Sequence, residues 1–103
     1  MTEIQIRKKA LERLTKQHWV SWYPPRVRWR KEQDIFGVFD LIAVKTGKVR
    51  FIQLTTWHNI RAREKKVKDF LTKNELYLHS EIWGWKEKEK NFGVIIINYD
   101  RTI

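Results

Sequence analysis

The sequence predicts an α/β or α+β fold in which one central sheet is flanked by helices. Three observations carry that expectation. Two stretches, one near each end of the chain's first two-thirds, place apolar residues at helical spacing. The remaining apolar runs are short, β-branched or aromatic, and bounded by turn residues. Between the helices, "FDLIAVKTGKVRFIQLTTW" (residues 39 to 57) is two apolar runs joined at Gly47, the pattern of a β-hairpin. The order is a helix, three or more strands, a helix and two strands, α-β-β-β-α-β-β at its shortest. No repeat, low-complexity tail or linker divides residues 1 to 103, so one domain is expected.

Residues 3 to 17, "EIQIRKKALERLTKQ", carry Ile4, Leu11 and Leu14 at helical spacing beside Ala10, with Thr2 placed as an N-cap. "HWVSWY" reads as a strand that Pro24 and Pro25 end, because neither can donate to a ladder. "RVRWR" alternates strictly, with Val27 and Trp29 on one face and Arg26, Arg28 and Arg30 on the other. After the hairpin, residues 59 to 72 form the second expected helix. "SEIWGWK" and "FGVIIINY" are the last two strands, joined by the solvated connector "EKEKN".

Charge is the strongest global signal. Lys and Arg number 22 against 12 acidic residues, a formal charge of +10. Solubility or an ion-pair-rich surface would keep the signs nearer balance. So basic a domain points to a polyanionic partner, since each phosphate neutralised releases counterions. There is no Cys, which excludes disulfides and thiolate metal sites and fits a reducing, cytoplasmic setting. No apolar run approaches the roughly 18 residues that span a bilayer, and the basic N-terminal stretch has no signal-peptide apolar region. No membrane association is expected.

The polar residues of the hairpin are oddly placed for so hydrophobic a unit. A Thr46-Gly47 loop flanked by Lys45 and Lys48 sets Val44 opposite Val49, Ile42 opposite Phe51 and Asp40 opposite Gln53. Thr55 follows on the same face. The other face is Leu41, Ala43, Ile52 and Leu54, apolar apart from Arg50. Asp40, Gln53 and Thr55 therefore converge at one end of one face. A strand end emerging into water would carry such residues harmlessly. The alternative is a polar cluster that holds a hard cation through oxygen ligands, with Asp34, six residues before Asp40 in a loop containing Gly37, as a second carboxylate. In the second helix Ile60, Val67, Phe70 and Leu71 define the buried arc. Arg63 projects inside it, and Asn59, Arg63 and Lys66 form a line at i, i+4, i+7. An Arg there must snorkel out or meet an anion, either the Asp40 cluster or a bound phosphate.

These residues carry a resemblance. An Asp on one core strand, then "Q-x-T" at Gln53 and Thr55, within "DIFGVFDLIAVKTGKVRFIQLTTWHNIRAREKKV" (residues 34 to 67) and followed by "WGWK" (83 to 86), resembles the PD-(D/E)XK nuclease superfamily. It is similar in particular to small phage, bacterial and archaeal Holliday junction resolvase-like proteins. The resemblance implies a restriction-endonuclease-like fold with a central mixed sheet. It also implies a homodimer acting on duplex or branched DNA, and Mg²⁺- or Mn²⁺-dependent phosphodiester hydrolysis. By the same resemblance Asp40 and Gln53 would bind the metal, with Asp34 replacing a missing carboxylate. Thr55 stands where the family has a Lys, and Lys66 or Arg63 would supply that charge. The family's first-helix Glu would be Glu3 or Glu12.

Arg26, Arg28 and Arg30, with Asn59, Arg63 and Lys66, are the expected nucleic-acid contacts. The six Trp can stack on bases but are expected to be mostly buried. His18, His58 and His79 show no metal-ligand spacing. Two other functions compete with the nuclease. One is a DNA-binding protein of the same fold that no longer cuts, because two catalytic charges are absent. The other is a basic RNA-binding module, though an RNP signature, a GXXG loop and a basic tail are all missing.

Overall fold

Among the described residues there are five strands and two α-helices, in the order α1 (Glu3–Lys16), β1 (Val20–Trp22), β2 (Leu41–Lys45), β3 (Lys48–Thr56), α2 (Ile60–Lys73), β4 (Ser80–Lys86) and β5 (Asn91–Ile97). The computed structural model describes residues 1–25 and 34–97. The expected arginine strand, with Arg26, Arg28 and Arg30, lies outside the described residues, as does the end of "FGVIIINY". The five strands form one mixed sheet, ordered β1-β2-β3-β4-β5. Only β3 and β4 run parallel, with α2 as the crossover between them.

The β2–β3 hairpin has the expected register, Lys45 opposite Lys48 and Ile42 opposite Phe51. Thr46 and Gly47 both take positive φ, 47° and 76°, as a two-residue turn matched to strand twist requires. Side chains alternate from this register, so the sheet has two apolar faces and a helix covers each. On one, Ile6, Ala10 and Leu14 of α1 meet Leu41, Ala43, Ile52, Trp83 and Trp85. On the other, Ile60, Val67 and Leu71 of α2 meet Ile82, Ile97 and Phe39. The architecture is three layers, helix on sheet on helix. β4 is buried on both sides from Ser80 to Trp85, which is why it reads as a near-continuous apolar run.

Helix α1 starts at a capping box, in which the Thr2 hydroxyl accepts from the Gln5 N–H and the Gln5 side chain accepts from the Thr2 N–H. Its buried stripe differs from the expected one. Ile4 is 54% exposed and Ile6 is buried, because the helix lies on the sheet along the 6–10–14 line. There Ala10 is small enough to allow close approach, and two positions from Ile6 the chain has turned through roughly 200°. The first strand is also shorter than "HWVSWY" suggests. His18 takes φ 64° as the chain leaves α1, so extension begins only at Val20. A short 3-10 turn, Trp57–Asn59, intervenes before α2 and starts it one residue later than expected. The expected burial of the Trp also needs correcting. Trp83 and Trp85 are buried, but Trp22 and Trp57 are exposed and Trp19 is half-buried.

Candidate functional site

Because β3 and β4 are parallel, both finish at the same edge of the sheet, where α2 begins. Ligands of α/β sheets collect outside such carboxyl ends. β2 runs antiparallel to β3, so its start comes to the same edge and brings Asp40 with it. The Asp40 N–H donates to the Ile52 carbonyl (2.8 Å), extending the ladder one step beyond β2. The tight turn before it, with Phe36 and Gly37 at φ 56° and 70° and an Ile35–Phe39 bridge, folds Asp34 back toward this edge. Phe36 pins that turn against the α2 face, its ring centroid 6.3 Å from Phe51 and 6.0 Å from Phe70.

Asp40 and Gln53 meet as the register expects. Asp40 Oδ2 accepts the Leu54 N–H (2.6 Å) and the Gln53 side-chain amide (2.8 Å). The same Gln53 nitrogen donates to the Leu54 carbonyl at 3.1 Å. Gln53 is only 3% exposed, and its Oε1 is buried with no hydrogen-bond partner among the described residues. An orphaned buried acceptor costs about 1–3 kcal/mol, and this oxygen faces no donor from those residues. Thr55, also buried, continues the face toward Gly84, its register partner on β4.

Burial pushes the Asp40 carboxyl up from 3.8 to about 6. The Leu54 N–H opposes that shift, Asp34 and Glu3 reinforce it, and Arg63 opposes it. These are the charges that act most strongly on Asp40, and they come from the preceding turn, the first turn of α1 and the first turn of α2. Of the two candidate first-helix acids, Glu3 is the one whose charge acts on Asp40. Glu12 is exposed and pairs with Lys9 at 4.0 Å. Arg63 is half-buried, as an Arg on the apolar arc must be, while Lys66, one turn further on, is half-buried and outside that strongest set. Asn59 is the exposed N-cap of α2 and makes no side-chain capping bond.

No protein-family model matches the chain, and no curated protein matches it. What Asp40 and Gln53 can do follows from their chemistry. A carboxylate oxygen and an orphaned amide oxygen are hard donors suited to a cation that retains waters. Among the described residues no three His, Cys, Asp or Glu side chains gather as a ligand set, so any cation here would meet two close carboxylates at most among them.

The opposite face holds a second polar cluster, which the sequence reading missed. Glu81, 2% exposed, accepts from Arg50 Nε (2.7 Å) and Nη2 and from Trp83 Nε1 (2.9 Å), and meets His79 Nε2 at 2.7 Å. Burial pushes its carboxyl up, but these hydrogen bonds together hold it below the ordinary carboxylate range. Arg50 also lies over the Trp19 ring, 4.6 Å from its centroid. The available signal was a pair of lone opposite charges, Arg50 and Glu81, on otherwise apolar strand faces. Both carboxylate oxygens of Glu81 are engaged, so this cluster ties β3 to β4.

Proposed function

We propose that the protein is a DNA-binding, metal-dependent phosphodiester hydrolase of the restriction-endonuclease-like class, acting at Asp40. The observation that carries the reading is the buried Asp40–Gln53 pair with its orphaned Oε1 at the carboxyl ends of the parallel strands, in a chain of charge +10. The element order and the helices on both faces of a mixed sheet support that reading. Asp40 and Gln53 would hold the divalent ion, Mg²⁺ or Mn²⁺, with Asp34 or Glu3 acting through water. Bound there, the ion would polarise the phosphate and acidify its own water. Arg63 supplies positive charge beside the carboxylate, where a scissile phosphate's charge develops. Lys66, on the same line of α2 as Arg63, would supply the charge that Thr55 cannot provide.

A second reading is favoured by Thr55 itself and by the lack of a carboxylate cluster among the described residues: the same site in a protein that binds DNA without cutting it. Incubation of branched, duplex and single-stranded DNA with Mg²⁺ or Mn²⁺ separates the two. Under the hydrolase reading wild type cleaves, Asp40→Asn does not, and Lys66→Ala loses cleavage while keeping most DNA affinity, because a transition state is more sensitive to one charge than a multi-phosphate interface is. DNA binding without cleavage by wild type in either metal would select the non-cutting reading.

A further inference from the structure

Trp57 is 44% exposed, although it follows β3 directly and shares the face of Gln53 and Thr55. Its place is cleared by two glycines that are direct cross-strand partners, Gly84 on β4 and Gly93 on β5. A Cβ on Gly93 would lie 2.2 Å from the Trp57 ring, and one on Gly84 would lie 2.9 Å from the Trp57 Cα. No other residue types permit the indole to lie there. The Lys86 ammonium stands over the ring, 4.2 Å from its centroid. The site therefore has a bare backbone floor, a fixed aromatic ring and a movable cation. It lies at the edge of the sheet where Asp40 and Gln53 lie, two same-face steps of about 7 Å each along β3 from Gln53.

A ring kept only to fill the core would be buried, as Trp83 and Trp85 are. A ring that is exposed, rigidly seated and capped by a cation is a surface on which a planar ligand with an attached anion can stack. In a chain of charge +10, the planar anionic ligand that fits is a nucleotide. We propose, resting on the DNA reading of the Asp40 site, that Trp57 is a stacking platform for one unpaired nucleobase of the bound DNA. The base displaces Lys86 from the ring, and the freed ammonium takes the adjoining phosphate. The substrate class is thereby narrowed to DNA with an unpaired or splayed nucleotide at the site, as at a junction, flap or single strand.

The test is equilibrium binding of single-stranded, branched and fully paired DNA of one length, in EDTA so that cleavage plays no part. Wild type is compared with Trp57→Leu, Trp57→Phe and Gly93→Ala, with thermal melts to check folding. Trp57→Leu is expected to weaken single-stranded and branched binding on the order of tenfold and to leave duplex binding unchanged, while Trp57→Phe keeps most of it. Gly93→Ala, which retains the indole but unseats it, should repeat the Leu result. If wild type binds DNA and Trp57→Leu matches it on every form, or loses all forms equally, the platform is refuted and the Asp40 reading stands. Absence of DNA binding by wild type in EDTA refutes the platform. The Asp40 reading is refuted separately, by absence of both binding and cleavage with Mg²⁺ or Mn²⁺ present.

Discussion

Replacing Asp40 by Asn should stabilise the fold at alkaline pH and leave it unchanged at acid pH. The protonated carboxyl and the amide have nearly the same shape, and an amide oxygen can accept from the Leu54 N–H as Oδ2 does. Asn is therefore a permanent copy of protonated Asp40. Raising the carboxyl from 3.8 to about 6 means that the folded state holds this proton more tightly than the unfolded state. Stability is full below 3.8, falls as pH rises from there through about 6, and stays reduced above that. The difference corresponds to roughly 3 kcal/mol, on the order of 15 °C in melting temperature for a domain of this size. Urea unfolding near pH 4 and near pH 8 measures it, with an unchanged m value as the control for two-state behaviour. The expected gain of Asp40→Asn is about half a kcal/mol at the lower pH and about 3 kcal/mol at the higher one. An equal effect at both, or no gain near pH 8, would refute the assignment of the strained charge to Asp40. Mg²⁺ at about a hundredfold over its dissociation constant should return about 2.7 kcal/mol to wild type near pH 8 and nothing to the variant.

Glu81→Gln should cost about 3 kcal/mol or more at neutral pH, since it leaves the largely buried Arg50 unpaired. That cost should shrink as acid protonates Glu81 in wild type as well, below the ordinary carboxylate range; a pH-independent cost in urea unfolding would contradict the ion pair. DNA affinity should fall on the order of a thousandfold between about 50 and about 200 mM salt if several phosphates are neutralised, and a flat response would argue against a phosphate-led partner. In metal-free buffer, DNA affinity should rise as pH falls through about 6 and should vary less when Mg²⁺ is present. The same rise in Asp40→Asn would assign it to other groups.

The elements were legible where periodicity and turn chemistry agreed. The hairpin register followed from Gly47 and a side-chain period of two, and β4 and α2 were found to within a residue. The rotation of α1 was not legible, because Ile4, Ile6, Leu11 and Leu14 admit more than one apolar stripe, and the sheet chose the one with Ala10 at closest approach. The pairing of Asp40 with Gln53 was readable from register alone. The reach of Glu3 was not, since it depends on where the first turn of α1 lies relative to the start of β2. The Arg50–Glu81 pair was hidden for a similar reason: their strands are neighbours only because α2 carries the chain back in parallel. The exposure of Trp57 was not legible among six Trp expected to be mostly buried, because it depends on Gly84 and Gly93 lying side by side beneath it.

These placements gather further acids around Asp40 in a chain that is basic as a whole. The chain carries +10, yet the charges acting on Asp40 are two further acids, Asp34 and Glu3, against one base, Arg63. A polyanion drawn to the basic surface therefore meets repulsion at the one place where its backbone would be worked on. Two agents relieve that repulsion without changing the sequence, a proton on Asp40 and a divalent cation beside it. The proton does so only below about pH 6, and it removes the carboxylate that would hold the cation. At neutral pH the cation alone serves, so metal and DNA should each raise the other's affinity by the same factor. A neutral Gln53 suits this arrangement better than a second carboxylate would. It offers an oxygen to the cation without deepening a negative charge that burial already makes costly. Thr55 is neutral and leaves that negative charge uncompensated within the strand, so under the proposed function the site would depend on Arg63, on Lys66 and on the cation itself.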